Sequence, residues 1–287
     1  MTAGDGNGWT DDPGTLLRVG RGFRLADVDP EATPGYEGSK KDGRTDLAAG
    51  AQRLGALQER LFAQSRDDPC APAVLLVLQG MDSAGKGGVV RHVVGAADPQ
   101  GVRLVAFKAP TPAELAHDFL WRVEREVPPA GYVGVFDRSH YEDVLIGRVR
   151  GLAPADEIER RYGAITAFED RLVERGVHLV KVMLHISADE QKRRLGRRLA
   201  RPDKHWKYHP EDVDERLLWP RYMDAFQTAL ERTSTVRAPW FVVPANAKWY
   251  ARLAVQALLV GTLAAVDPRW PAATFDVEAE RARLEAT

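Results

Sequence analysis

The run Gly80-Met81-Asp82-Ser83-Ala84-Gly85-Lys86 sets two glycines and a lysine at the spacing of a loop that wraps phosphate. Glycines there let backbone N–H groups close around phosphate oxygens, and a helix starting at the loop's end adds partial positive charge. Lys86 is then the group that reaches the transferable phosphate, and Gly87 and Gly88 carry the loop into the helix. The motif is short. What separates it from a glycine-rich turn with an exposed lysine is its setting, with apolar Val74-Leu-Leu-Val-Leu78 before it and helix-like Val89 to Val94 after it.

Two carboxylates extend the chemistry. Gly87 stands where such loops usually carry the Ser or Thr whose hydroxyl ligates Mg²⁺. Asp82 lies inside the loop, where a carboxylate repels phosphate unless a metal bridges the two; its alternative role is to cap the turn. Asp137 ends the apolar run Tyr132-Val-Gly-Val-Phe136, the position of a metal-binding carboxylate at the ligand crevice of an open α/β sheet. Its alternative is a helix N-cap. Asp82 and Asp137 are therefore expected to hold Mg²⁺ together, with Arg138 placed to bind a phosphoryl group bidentately. His140 is expected to be structural or peripheral, because a phosphate acceptor is already anionic and needs no strong base.

The segment Lys192 to Lys207 holds eight Lys or Arg and one Asp. Arg193 and Arg197, like Arg194 and Arg198, are four residues apart and would stack on one helix face. Such a run is usually a solvated surface. Placed after a buried strand in a kinase-like order, it is expected to be a lid at about residues 192–215 that closes arginines over the transferring phosphate. Its charge exceeds what one nucleotide needs, and a longer polyanion would account for the surplus.

Positioning these residues requires a sheet. Five apolar runs, 74–78, 102–107, 132–136, 177–186 and 240–243, read as buried strands. Helical patterns separate them at 88–97, 112–126, 143–174, 188–200 with 211–232, and 248–265. Continuous apolar strands alternating with helices imply a mostly parallel sheet covered on both faces, hence one doubly wound α/β domain. Residues 1–45 read as an irregular N-terminal arm, and 46–287 as a single phosphotransferase domain, with an amphipathic helix from Thr45 to Gln64 leading in.

Composition narrows the class. The 287 residues carry 40 Lys and Arg against 41 Asp and Glu, with 44% hydrophobic and 28% charged, ordinary for a globular enzyme. This balance gives no support to a nucleic-acid partner. The single Cys70 excludes an internal disulfide and fits a reducing, cytoplasmic setting. The first dozen residues lack the basic and apolar regions of a signal peptide. The longest apolar runs fall short of the ~20 residues of a membrane-spanning helix, so no membrane partner is expected.

The chain also resembles the second family of polyphosphate kinases, the polyphosphate-dependent nucleotide phosphotransferases. The matching stretches are Gln79 to Gly88, Ala116-His-Asp-Phe-Leu-Trp-Arg122, Phe136 to Leu145, Lys204-His-Trp-Lys207, Ala238-Pro-Trp240, Pro244-Ala245 and Lys248-Trp-Tyr250. The resemblance implies a thymidylate kinase-like P-loop fold with a five-stranded parallel sheet and helical lid. It also implies Mg²⁺-dependent phosphoryl transfer between inorganic polyphosphate and AMP or ADP. By position it implies metal and catalytic roles for Asp82 and Asp137, P-loop roles for Gly80, Gly85, Lys86, Gly87 and Gly88, and phosphate contacts for Arg138, Arg194 and Arg198. Lys204 and Lys207 would line a polyphosphate track, and Arg122, Glu142 and Arg148 join the phosphate or nucleotide site. A homo-oligomer, dimer or tetramer, is also expected.

His140 to Leu145 and Lys204 to Lys207 look most like the subgroup acting on both AMP and ADP. Gly87 and Asp137 look instead like the ADP-preferring groups, which leaves the acceptor open, as is guanine against adenine. Two rivals stand beside this reading: an ATP-dependent nucleoside monophosphate kinase on the same fold, and a non-catalytic module that binds nucleotide or polyphosphate.

Overall fold

The structure is a computed structural model describing residues 8–287. Met1 to Asn7, where an irregular arm without a signal peptide is expected, lie outside the described residues. The five strands are β1 (Ala73–Gln79), β2 (Val102–Ala106), β3 (Val133–Asp137), β4 (Val177–His185) and β5 (Trp240–Pro244). All pair in parallel, in the order β2-β3-β1-β4-β5. The helices of seven or more residues are α1 (Lys40–Gln64), α2 (Lys86–His92), α3 (Ala155–Glu174), α4 (Ala188–Leu199), α5 (Glu211–Leu217), α6 (Trp219–Thr233), α7 (Lys248–Val266) and α8 (Val277–Glu285).

Strand side chains alternate faces, so each strand feeds two cores. Leu75 and Val77 of β1 pack with Phe136, Leu179, Met183 and Trp240 toward α3 and α6. Leu76 and Leu78 pack with Val135, Val180, Val182 and Leu184 toward α1, α2 and α7. This is why the strands read as unbroken apolar runs: polar water-facing positions have no place in a sheet covered on both sides. α7 is long and apolar enough to cross a membrane by composition. Here Tyr250, Leu253, Leu259 and Leu263 bury it in the core.

The expected and observed elements differ where local caps and breakers act. α1 starts at Lys40 rather than Thr45, because Ser39 and Asp42 form a capping box. The expected helix 112–126 is two single turns, Pro112–Leu115 and Trp121–Glu124, with Asp118 accepting from Leu120 N between them. The expected helix 143–174 is interrupted before α3 by Gly151, whose φ is 62°. The arm is less irregular than its composition implies. Val19 N donates to Trp240 O at 2.8 Å and Val242 N to Leu17 O at 2.9 Å, so the arm covers the open edge of β5.

Candidate active site

The loop after β1 adopts three positive φ values, at Gly80 (148°), Ser83 (67°) and Gly85 (123°). A Cβ at Gly80 would stand 2.7 Å from the Leu184 carbonyl oxygen, so the loop's first turn admits only glycine. α2 opens at Lys86, whose Nζ donates to Gly80 O at 2.7 Å and closes the loop on itself. Nothing stands within 4 Å of a Cβ built at Gly87, which lines the cleft, so the missing hydroxyl leaves open space.

Register brings the second carboxylate to this loop. Asp137 pairs with Leu78 of β1 on one side and Ala106 of β2 on the other. Arg138 follows at φ 65°, a strained conformation for a side chain with a Cβ. Its backbone N–H is bonded to Leu78 O at 3.1 Å, and its Nη2 reaches Asp82 Oδ1 at 2.9 Å. Burial pulls the guanidinium pKa down, but Glu142, Asp82 and Asp137 outweigh it and hold it above its ordinary value. Asp137 makes no side-chain hydrogen bond or ion pair among the described residues and lines the cleft beside Asp82. Two hard oxygen donors facing one cleft fit Mg²⁺, which commonly takes one or two carboxylates and completes its shell with phosphate and water.

Glu142 lies behind this pair. Burial raises its pKa and Asp82 adds to the rise, against the opposing charges of Arg138 and Lys86. His140 is fully buried, with Nε2 3.4 Å from Glu169 Oε1. It belongs to a core network in which Lys181 Nζ bonds Glu169 at 2.5 Å, Thr233 O at 2.8 Å and Tyr141 Oη at 3.1 Å. Its role there is structural.

The basic segment folds as α4, a 3-10 turn at Pro202–Lys207, and α5. Sequence reasoning set Arg194 over the phosphates, and the structure gives it other partners. Nε bonds Glu190 at 2.6 Å, Nη1 bonds Ser83 O and Ala84 O at 2.8 and 2.6 Å, and Nη2 bonds Ala245 O and Asn246 O at 2.5 and 3.1 Å. All five guanidinium donors are engaged, and the residue is 4% exposed. Arg194 thus rivets the phosphate loop to the turn after β5. Its neighbour Gln191 adds a bond from Nε2 to Asp82 O at 3.1 Å. Glu190 organises the segment by pairing with Arg193, Arg194 and Arg197.

Arg198 donates to Lys207 O at 2.9 Å and approaches Asp212 at 3.4 Å, tying α4 to the turn that carries Lys204 and Lys207. These residues line a cleft of about 850 Å³ with the phosphate loop, Asp137 and Arg138. Twelve Lys or Arg and two Asp line it. Sequence reasoning placed Arg197 and Arg201 only within the basic segment as a whole, and missed Arg91, Lys108, Lys248 and Arg252 as cleft residues. Lys248 had a signal, since it opens the helix after β5. Arg252, one turn further, did not.

Four expected site residues do not line the cleft: Gly80, which forms the loop's first turn, Glu142, Arg122 and Arg148. Arg148 turns toward α6, with Nη2 2.6 Å from Asp224 and Nη1 2.7 Å from Thr228 Oγ1. Arg122 donates to Lys108 O at 2.8 Å and lies over the Phe107 ring, so it supports the Phe107-Lys108 wall from behind.

The chain is similar to known proteins over most of its length. A family model described as polyphosphate kinase 2 matches residues 37–271. The AMP/ADP-polyphosphate phosphotransferase of Meiothermus ruber is 44% identical over 87% of this chain and 91% of its own. The ADP-polyphosphate phosphotransferase of Rhodopseudomonas palustris is 39% identical over 90% and 92%. The crystal structure of polyphosphate kinase 2 from Arthrobacter aurescens TC1 is similar at a TM-score of 0.94 and 60% identity, covering 97% of this chain and 98% of that one. The match spans the phosphate loop, the second carboxylate and the basic segment alike, and on it the chain belongs to the polyphosphate kinase 2 family.

Proposed function

We propose that this chain transfers a phosphoryl group between inorganic polyphosphate and AMP or ADP, with Mg²⁺ held by Asp82 and Asp137. One observation supports polyphosphate over a nucleoside triphosphate as the cleft's anion: twelve cations line it and extend well past the phosphate loop, opposed by two carboxylates. In the forward step an acceptor phosphate oxygen attacks the terminal phosphorus of the chain. The bond from that phosphorus to the bridging oxygen breaks, and the shortened polyphosphate leaves with the electron pair. No proton transfer is required, because both oxygens are anionic.

Positioning and neutralisation then carry the rate. Loop N–H groups and Lys86 hold the transferring group, and Arg138 spans it and Asp82. Mg²⁺ held by Asp82 and Asp137 would supply charge neutralisation to the phosphates. The names of the relatives support both AMP and ADP as acceptors. The test is a coupled assay with polyphosphate as sole donor, Mg²⁺ present, and AMP or ADP as acceptor. ATP formation from ADP, or ADP formation from AMP, is expected. Turnover with ATP and AMP but none with polyphosphate would instead identify an ordinary monophosphate kinase.

A further inference from the structure

The cations of the cleft do not stop at its mouth. α1 and α7 lie side by side in the same direction: Gly43 packs against Trp249, and Gln256 Nε2 donates to Leu47 O at 3.0 Å. The N-terminal turn of α1 therefore stands beside that of α7, at the carboxyl edge of the sheet where the phosphate loop lies. Arg252 lies one turn into α7. Its guanidinium rests over the first turn of α2, 3.4 Å from where a Cβ of Gly88 would stand, and Arg44 is close enough to act on its charge.

Beyond Arg252, a shallow groove of about 790 Å³ is lined by Lys40, Lys41 and Arg44 with Ser39 and Thr45. The three basic side chains are exposed and make no ion pair among the described residues; Asp42 beside them is held by Ser39, although Lys41 also acts on its charge. Most cations on α3, by contrast, are paired, as Arg160 and Arg161 are with Glu157. Three cations against the one carboxylate of Asp42 leave a net positive row, and an anion laid along it relieves their mutual repulsion. Burial first, and then the charges of Arg44 and Arg194, lower the Arg252 pKa.

We infer that the first turn of α1, through Lys40, Lys41 and Arg44, forms a distal subsite that binds the far end of a long polyphosphate chain, joined to the catalytic cleft over Arg252. The inference rests on the proposed polyphosphate function. It makes affinity depend on chain length: a short oligophosphate fills only the cleft, whereas a long chain reaches the distal groove as well.

The test compares wild type with the double variant Lys41→Glu, Arg44→Glu, both exposed positions outside the catalytic cleft. Direct binding of fluorescently labelled long-chain polyphosphate is measured at low and high salt, with displacement of the label by unlabelled tripolyphosphate. The expected result is about tenfold weaker binding of the long chain at low salt, shrinking as salt rises. The tripolyphosphate constant and the kcat with polyphosphate should stay unchanged. Equal weakening of both ligands would overturn the inference, since the residues would then act only as a general field, and so would no weakening of either. The assay separates the two failures: a wild type that binds long chains but never turns them over defeats the proposed function and leaves the subsite to the binding result.

Discussion

At the scale of single residues, Asp82 has two partners to serve. In this structure one oxygen is held by Arg138, and the other is free to join Asp137 on a metal. Replacing either aspartate with Asn keeps its size and removes the charge that balances Mg²⁺. The expected loss of kcat is at least about 10²–10³-fold, the scale of a lost transition-state electrostatic contact. Circular dichroism should show an unchanged fold, and near-normal activity of Asp82→Asn at ordinary Mg²⁺ would remove it from the metal site. Glu142 makes a pH prediction. Its carboxyl is raised by burial, so the folded chain binds its proton at a higher pH than the unfolded chain does. Stability should fall as pH rises from the ordinary glutamate range through the raised value. Glu142→Gln should therefore raise the melting temperature near neutral pH, and the gain should vanish in acid; a gain that persists in acid would implicate packing instead.

At the scale of elements, two side chains hold helices and strands in place. Arg194 satisfies carbonyls from both the phosphate loop and the turn after β5, so it sets the distance between them. Arg194→Lys keeps the charge but has too few donors in the wrong geometry to serve four carbonyls and Glu190. The expected outcome is a large fall in kcat with no rescue by lysine, together with faster hydrogen exchange at Ser83 to Lys86. Rescue by lysine would show that only the charge matters. Behind the sheet, Lys181 and Glu169 form a fully buried pair. Burial pushes the Glu169 carboxyl up, but Lys181 and His140 outweigh it and hold it below its usual range. Lys181→Met strands that carboxylate in the core and should cost about 3–5 kcal/mol in urea unfolding. Replacing Glu169 with Leu in the same variant should recover much of the loss, because no buried charge then remains.

At the scale of the whole molecule, the net charge of −1 conceals strong segregation of sign. Positive charge collects at the carboxyl edge of the sheet, on elements distant in the chain. Attraction for a polyanion should thus weaken with salt as the Debye length shortens to ~10 Å at 0.1 M. Arg198→Ala should raise the KM for long-chain polyphosphate about fivefold at low salt, on the scale of ~1 kcal/mol per cation near an anionic surface, with little change in nucleotide affinity. Loss of nucleotide binding with unchanged polyphosphate kinetics would place Arg198 at the nucleotide instead.

Much of this was legible beforehand. The strand-loop-helix setting of Gly80 to Lys86, Asp137 at a strand end and five apolar runs are local features, and local sequence determines them because strand burial and loop conformation act over a few residues. Contacts between distant segments were not legible. That Arg194 faces backbone carbonyls rather than phosphate depends on where the turn after β5 lies. That Arg148 leaves the cleft depends on Asp224 in α6, and that the first turn of α1 stands beside that of α7 depends on the parallel packing of the two helices. A long cationic side chain can serve any anion or carbonyl within reach, so sequence determined which residues carry the charge, and tertiary packing alone decided what each one faces.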